Sequence, residues 1–352
     1  MIFNLLCGIR ERRVYLMRYQ LLIFLGFVYL PLSAPAHHSV NGIFDAGNVI
    51  ELEGKVVEVA WQNPHVRFTV TVGQEGGQDE LWSVEITSLS TLRRRKLSAN
   101  FLAPGDRVRV AGNPAKSGSA EIYVRNILLP NGEEVLLDNS GTPRWTNETL
   151  GTSQIAREGD PSDPDRGIFR VWSTPIGSGS IWKENYPLTD PARTSVATFD
   201  PVIDSPTLDC RPKGMPTIME QPYPMELRRQ DEKIIIHMEE YNTIRTIEMN
   251  AETDTEKPPA DRLGHSVGYW ENRTLAVKTT GINWPYFDRD GIPLSKAAEI
   301  TEHFTVSGDG SRLDYRMTLT DPATFTEPVV LEKYWLWFPE VVVEPYECIA
   351  DA

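Results

Sequence analysis

Residues 233–250 read KIIIHMEEYNTIRTIEMN, two runs of alternating residues joined by the pair Asn242-Thr243. Apolar residues recur at alternate positions of each run, which is typical of strands with one buried face. A connection of two residues predicts a β-hairpin. This hairpin sets the expectation for the second half of the chain, where similar pairs of strands follow one another.

The second half of the chain repeats the hairpin pattern. Further strands are predicted at 168–173 (IFRVWS), 265–270 (HSVGYW), 274–281 (TLAVKTTG), 300–307 (ITEHFTVS), 312–320 (RLDYRMTLT) and 329–338 (VVLEKYWLWF). With the first hairpin these make about eight strands, each beside the next in sequence. We therefore predict an antiparallel, lipocalin-like barrel over 166–352 that encloses a core or a ligand pocket. An open two-layer sandwich is the alternative.

The first half of the chain predicts a smaller β-domain over 37–137. Its segments are three strands, a short helix and two more strands, at 49–61, 65–72, 81–86, 88–102, 107–112 and 120–129. This order is that of an OB-fold, a small and partly open Greek-key barrel. Its aromatic residues, Trp61, Phe68, Trp82 and Tyr123, are interpreted as core rather than as a stacking face for oligosaccharide. Residues 138–165 are polar and turn-forming, and are predicted to be a linker. The fold class is thus all-β.

The N-terminal segment has the features of an export signal. Residues 17–36, MRYQLLIFLGFVYLPLSAPA, contain a positive charge at Arg18, an apolar stretch and the cleavage pattern Ala34-Pro35-Ala36. We expect residues 1–36 to be a signal peptide, with Met17 as an alternative start, and the mature protein to be periplasmic or secreted. The apolar stretch is shorter than the ~20 residues that span a bilayer, so no membrane span is expected after cleavage.

The charge balance argues against nucleic acid as a partner. The whole chain carries a formal net charge of −14. Without residues 1–36 it has 31 basic and 48 acidic residues, a net charge of −17. Binding to a phosphate backbone needs clustered Lys and Arg. The run Arg93-Arg94-Arg95-Lys96 is interpreted as a solvated helix face.

Two cysteines remain after the predicted cleavage, Cys210 and Cys348. An even number of cysteines in an oxidising compartment predicts a disulfide. It would join the start of the second domain to the end of the chain. Two buried free thiols are the alternative.

Several motifs resemble uncharacterised secreted bacterial families. HHS (37–39), QNPH (62–65), WSVE (82–85), PGD (104–106) and GNPA (112–115) resemble the domain-of-unknown-function family 6152. DCRPKGMP (209–216), QPYPMEL (221–227), GHSVGYWENRTLAVKTTGIN (264–283), TEHF (301–304) and TLTDPATFTEP (318–328) are similar to a second group without an established activity. The resemblance implies secretion and fold class, and supplies no catalytic residues.

Cleavage after Ala36 would place His37 at the new N-terminus, followed by His38. A terminal amine and an imidazole on one residue can chelate one metal ion, and imidazole suits Cu or Zn. His65, next to Pro64, is the candidate third ligand. The sequence thus predicts a copper site formed by His37, His38 and His65, against the alternative that these histidines have no metal-binding role.

The second domain contains charged residues at positions predicted to face its interior. With Asn242-Thr243 as the turn, Glu240 pairs with Arg245 on an otherwise apolar face, and Glu302 shares its face with Phe304. We predict a pocket with Trp270, Tyr315 and Trp335 in its wall and Glu240, Arg245 and Glu302 inside, suited to a small, partly apolar ligand. The structural alternative is that the charges close one end of the barrel.

Three functions follow as hypotheses. The first is an exported protein that binds a small-molecule ligand in the second barrel. The second is an exported hydrolase or lyase with Glu240, Glu302 and His265 as its catalytic residues. The third is a periplasmic copper-binding protein. The sequence contains no Gly-rich phosphate loop, G-x-S-x-G elbow, H-E-x-x-H helix or C-x-x-C pair. It does not indicate an oligomeric state.

Overall fold

A computed structural model describes residues 40–74, 76–137, 141–151, 167–175, 181–249, 259–339 and 341–349. Both β-structures described below belong to one compact unit, Ala34–Asp351. The described chain is nearly all β, with a small barrel of five strands followed by a barrel of nine. The predicted fold class is confirmed.

The first barrel has the strand order of an OB-fold. Its strands are β1 (Ile50–Ala60), β2 (Arg67–Val72), β3 (Glu80–Glu85), β4 (Arg107–Pro114) and β5 (Glu121–Leu128). β1 pairs with both β2 and β4, and a parallel pairing of β3 with β5 closes the ring. The short helices are α1 (Val40–Ile43) and α2 (Leu89–Arg94), and α2 lies between β3 and β4 as predicted.

β1 bends where it passes from one partner strand to the other. Its register with β2 shifts between Val56 and Glu58, which leaves Val57 exposed and Val56 in the core. Gly54 lies opposite Val72 on one side and Val108 on the other. A Cβ at Gly54 would lie 2.4 Å from the carbonyl oxygen of Thr71, so only glycine allows the two strands to approach this closely.

Two short strands extend the first sheet beyond the barrel, β6 (Glu134–Leu136) and β7 (Thr149–Leu150). The buried carboxylate of Glu134 accepts main-chain hydrogen bonds from Arg144, Trp145 and Thr146. Within the predicted linker 138–165, residues 141–151 are therefore attached to the first sheet. Residues 138–140 and 152–165 lie outside the described part of the chain.

The second barrel is closed and consists of nine strands. They are β8 (Val171–Ser173), β9 (Met225–Gln230), β10 (Lys233–Met238), β11 (Thr243–Met249), β12 (His265–Glu271), β13 (Thr274–Thr280), β14 (Glu299–Val306), β15 (Arg312–Thr320) and β16 (Val329–Trp337). Two features differ from the prediction. β9 was not predicted, and β11 pairs with β12 in parallel, so the barrel is not wholly up-and-down.

Side chains from strands and from two connecting segments form the hydrophobic core of the second barrel. Strand residues such as Phe304, Met317 and Trp335 form one core cluster. The segment before β9 adds Met215, Ile218 and Met219, and the segment between β13 and β14 adds Trp284, Phe287, Ile292 and Leu294. The two segments thus contribute to the core as well as connect strands.

The remaining helical elements are α3 (Asp190–Thr198) and the 3₁₀ turns Leu208–Cys210, Thr217–Glu220 and Glu240–Asn242. Among the described residues, no helix is both long and apolar enough to cross a membrane.

The predicted disulfide is confirmed. Cys210 and Cys348 are bonded, with their Cα atoms 5.9 Å apart and a sequence separation of 138. Beyond β16 the chain runs past the second barrel to the first. There the main-chain N–H of Asn63 donates to Glu347, and that of Ile349 donates to Asn63, over 3.4 and 3.2 Å.

Candidate functional site

Arg245 and Glu302 form a buried ion pair inside the second barrel. The guanidinium donates to both carboxylate oxygens of Glu302, one of them at 2.9 Å. It also donates to the hydroxyls of Ser266 and Thr279, and the phenol of Tyr315 donates to Glu302 over 2.8 Å. Burial lowers the pKa of Arg245, but the adjacent Glu302 carboxylate raises it above its ordinary value overall. The hydrogen bonds of the pair are therefore provided by the barrel itself.

The predicted pairing of Glu240 with Arg245 is wrong. Arg245 lies opposite Ile236, and Thr243 lies opposite Met238, so the turn contains Glu239, Glu240, Tyr241 and Asn242. Tyr241 and Asn242 have positive φ angles of 55° and 50°. The side chain of Asn242 both donates to and accepts from the main chain of Tyr346, so contacts with the C-terminal segment stabilise this longer turn.

Glu240 is buried at this turn and forms an ion pair with Lys213 instead, over 2.8 Å. Burial raises the pKa of the Glu240 carboxyl, and the Lys213 ammonium opposes the shift. The second carboxylate oxygen, Oε2, is buried without a hydrogen-bond partner in the described part of the chain.

The three residues of the predicted catalytic group are not brought together. Glu240 contacts Lys213, Glu302 contacts Arg245, and His265 begins β12 opposite Thr280. No hydrogen bond or ion pair between described residues joins any two of the three.

The predicted pocket wall is divided between the core and the surface. Tyr315 and Trp335 lie in the packed interior. Trp270 is 37% exposed, and its ring lies edge-on to Phe169. The structure thus places Tyr315 and Trp335 in the core and Trp270 partly at the surface, with Glu240 and Arg245 in two different ion pairs.

Of the predicted copper ligands, His37 and His38 lie outside the described residues. The Nδ1 atom of His65 lies 3.1 Å from the carbonyl oxygen of Ile86 and 3.5 Å from a carboxylate oxygen of Glu85. Its ring is edge-on to Tyr123. In the described ranges, no three His, Cys, Asp or Glu side chains are grouped so that they could hold a metal ion. The copper site stays a prediction.

The basic run of α2 is not a solvated face, as the sequence had indicated. Arg94 and Arg95 are buried. Arg94 donates to the hydroxyl of Ser173 and the carbonyl of Thr174 in the second barrel, and Arg95 to the carbonyls of Leu136 and Gly151. Of the four residues of the run, only Arg93 and Lys96 are exposed.

A groove lies between α2, the loop after β1 and the C-terminal segment. It has a volume of about 260 Å³. Its lining residues are Trp61, Gln62, Asn63, Leu89, Arg93, Pro345, Glu347 and Ile349. Arg93 also lines a smaller adjacent cavity of about 90 Å³. Four apolar side chains and four polar ones thus meet in one concave surface.

Asn63 is the most buried polar residue in the groove. It is 2% exposed, and its side-chain oxygen Oδ1 has no hydrogen-bond partner among the described residues. Its main chain bridges the C-terminal segment at Cys348. A buried acceptor without a partner costs about 1–3 kcal/mol, so a bound molecule that donates a hydrogen bond there would be stabilised.

The sequence did not single out Asn63, Arg93 or Glu347 as site residues. Their signals were weak: Asn63 belongs to the motif QNPH, Arg93 to a basic run, and Glu347 precedes a cysteine. The groove forms only when the disulfide-linked end of the chain meets the first barrel, a contact between residues far apart in sequence.

Residues 27–123 match the model of a family of unknown function, DUF6152. The match covers the first barrel as far as β5, and with it the groove residues Trp61, Asn63, Leu89 and Arg93. The C-terminal wall lies outside it. No curated protein and no solved structure matches the chain. The predicted resemblance of the second domain to another secreted family stays a prediction.

Proposed function

We propose that this is an exported protein that binds a small, partly apolar ligand, and that the ligand occupies the groove between the first barrel and the C-terminal segment. The observation that carries the proposal is a concave surface of about 260 Å³ lined by Asn63, whose buried Oδ1 has no hydrogen-bond partner among the described residues. In the second barrel, where the sequence had suggested the ligand, the inward-facing residues belong to one hydrophobic core cluster. Binding sites commonly combine apolar walls with a few polar groups that orient the ligand.

The composition of the walls supports this location. The indole of Trp61 packs edge-on against Phe101, with 5.4 Å between ring centroids, so its ring is held in place. Leu89 comes from α2, and Pro345 and Ile349 come from the C-terminal segment. The loop after β1, which contains Trp61 and Asn63, is one that OB-folds use to bind ligands.

A neutral fluorescent probe tests the proposal. N-phenyl-1-naphthylamine has an apolar body and one N–H donor, and its emission rises in an apolar site. We expect it to bind the wild-type protein and to lose affinity at least tenfold in Leu89→Trp, which fills the groove. Leu81→Trp is the matched control, because Leu81 is 61% exposed on β3 and is not part of the groove.

Two results would contradict the groove as the binding site. One is equal binding of the probe by wild type and Leu89→Trp, with the near-UV circular dichroism of both intact. The other is equal loss of binding in Leu81→Trp. In the first case the ligand site lies elsewhere, and the second barrel is the next place to search.

We also infer export to an oxidising compartment, and the Cys210–Cys348 disulfide supports it, since such bonds are rare in reducing compartments. Expression of the full chain in a bacterium followed by N-terminal sequencing tests this inference. We expect the mature chain to begin at His37. Copper analysis of the same preparation tests the predicted metal site. A cytoplasmic, uncleaved product would contradict export.

A further inference from the structure

The polar groups of the groove are arranged by charge, and the inference drawn from them rests on the proposed function of this groove. We propose that the groove selects a small zwitterion with an apolar body, the chemistry of an α-amino acid with an apolar side chain. One side of the groove offers a cation, the other offers two hydrogen-bond acceptors, and apolar side chains complete it.

Arg93 is the cationic side. Its side chain donates no hydrogen bond and forms no ion pair within 4 Å to any described residue, unlike its buried neighbours Arg94 and Arg95. A guanidinium has five N–H donors in a planar fork that matches a carboxylate. Because the side chain of Arg93 projects from α2 into the groove with these donors unused, a ligand carboxylate has a partner there.

Asn63 and Glu347 form the acceptor side. They lie beside each other because the main-chain N–H of Asn63 donates to the carbonyl of Glu347. The Oδ1 atom of Asn63 is buried and unpartnered within the described chain, and the exposed carboxylate of Glu347 forms no ion pair with a described residue. An ammonium group has three donors and no acceptor, so it can satisfy both.

The apolar body of the ligand has a defined place. Trp61, Leu89, Pro345 and Ile349 line the same groove. A cavity of about 150 Å³ holds benzene, so an open groove of about 260 Å³ has room for an aromatic body larger than one ring or for one ring with two small charged groups.

The combination of charges disfavours ligands with one charge. A simple anion would meet Arg93 but also face the carboxylate of Glu347, and a simple cation would meet Glu347 but face Arg93. Like charges at close range disfavour binding, so each single-charge ligand loses part of what it gains. Only a molecule with both charges matches both sides.

Four probes that share one apolar body measure the contribution of each charge to the affinity separately. They are L-phenylalanine, which is a zwitterion, 3-phenylpropanoate, which lacks the ammonium, L-phenylalaninamide, which lacks the carboxylate, and 3-phenylpropanamide, which has neither. Each is tested by displacement of N-phenyl-1-naphthylamine at pH 6, where α-amines remain protonated. We expect L-phenylalanine to bind about tenfold more tightly than either singly charged probe.

Two variants assign the charges to residues. In Arg93→Gln, L-phenylalanine and L-phenylalaninamide should bind equally. In Glu347→Gln, the advantage of L-phenylalanine over 3-phenylpropanoate should fall about threefold or more. Arg107→Gln is the control, because Arg107 is an exposed arginine of β4 outside the groove, and the order of the four probes should not change there.

The outcomes distinguish this inference from the proposed function. If 3-phenylpropanamide displaces the dye as well as L-phenylalanine does, the zwitterion preference is wrong and the groove remains a ligand site. If Leu89→Trp abolishes dye binding but none of the four probes displaces the dye from the wild type, the groove is a binding site and the proposed ligand class is wrong. If the dye is insensitive to Leu89→Trp, the groove itself is not the site.

Discussion

At the scale of single residues, the Arg245–Glu302 pair gives a testable prediction about the free energy of unfolding. Both side chains are almost wholly buried, so removal of one charge leaves the other unpaired in the barrel core. We expect Glu302→Leu to lower the free energy of unfolding by about 3–5 kcal/mol. The double variant Arg245→Met/Glu302→Leu should lose clearly less than the sum of the two single variants, measured by urea denaturation.

A surface pair in the same barrel is the control for that prediction. Arg316 and Glu332 are 2.8 Å apart, and both are more than half exposed. Glu332→Gln should change the free energy of unfolding by less than about 1 kcal/mol. Additive losses for the buried pair would mean that Arg245 and Glu302 do not interact as described.

Asp288 gives a prediction about pH. Burial raises the pKa of its carboxyl to about 6, from an ordinary value of 3.8, and one carboxylate oxygen accepts the main-chain N–H groups of Asp290 and Ile292. A carboxyl with a raised native pKa stabilises the fold at low pH and loses that contribution as the pH rises through about 6. The contribution of Asp288 to the free energy of unfolding therefore falls between pH 3.8 and about 6.

Asp288→Asn keeps an oxygen acceptor and removes the titration. Its free energy of unfolding should therefore exceed that of the wild type at pH 7 by roughly 2 kcal/mol, and the difference should vanish near pH 4. Urea denaturation at both pH values measures it. If the difference in the free energy of unfolding between variant and wild type is the same at pH 4 and pH 7, the pKa of Asp288 is not raised in the folded protein.

At the scale of elements, the sequence predicted alternation well and turn length poorly. Arg245 faces inward as expected, because its actual partner Ile236 is four residues from the expected partner Glu240, and an even shift preserves the face. The turn residues depend on Asn242 binding Tyr346, a contact about a hundred residues away in sequence. Local patterns therefore determined which side Arg245 faces, but not what it contacts.

The missed strand β9 has a similar physical cause. Its sequence MELRRQ alternates only in its first half, and its last three residues are exposed. It becomes a strand because β10 pairs with it along its whole length and β8 pairs with its start. The first barrel was easier to predict, because each of its five strands carries its own alternation and the helix interrupts them at the OB-fold position.

The helix α2 yields an element-scale prediction because adjacent arginines on it have different surroundings. Arg94 is buried and donates to Ser173 and Thr174 of the second barrel, whereas Arg93 is exposed. We expect Arg94→Met to lower the free energy of unfolding by about 1–3 kcal/mol, because two acceptors lose a charged donor. Arg93→Met should change it by less than about 0.5 kcal/mol. Similar losses for both would contradict the role of Arg94 in joining the barrels.

At the scale of the whole molecule, the disulfide connects stability to the groove. The Cys210–Cys348 bond closes a loop of 138 residues, for which the chain-entropy model gives a stabilisation of about 5 kcal/mol. The same bond fixes the C-terminal segment, whose residues Pro345, Glu347 and Ile349 form one wall of the groove. One covalent bond thus supports both the fold and the proposed binding site.

The role of the disulfide in stability and its role in ligand binding can be separated by measuring the free energy of unfolding and the dye affinity of one variant. Cys210→Ser/Cys348→Ser should lower the free energy of unfolding by up to about 5 kcal/mol and, under conditions where it stays folded, weaken N-phenyl-1-naphthylamine binding. Binding should weaken because the segment is then held only by non-covalent contacts, among them the two main-chain hydrogen bonds of Asn63. Treatment of the wild type with a reductant should give the same affinity as the variant, and the reductant should leave the variant unchanged. Unaltered dye affinity in a folded protein without the bond would mean that non-covalent contacts are sufficient to fix the groove wall, among them the hydrogen bonds of Asn63, Asn242 and Glu239 to the C-terminal segment.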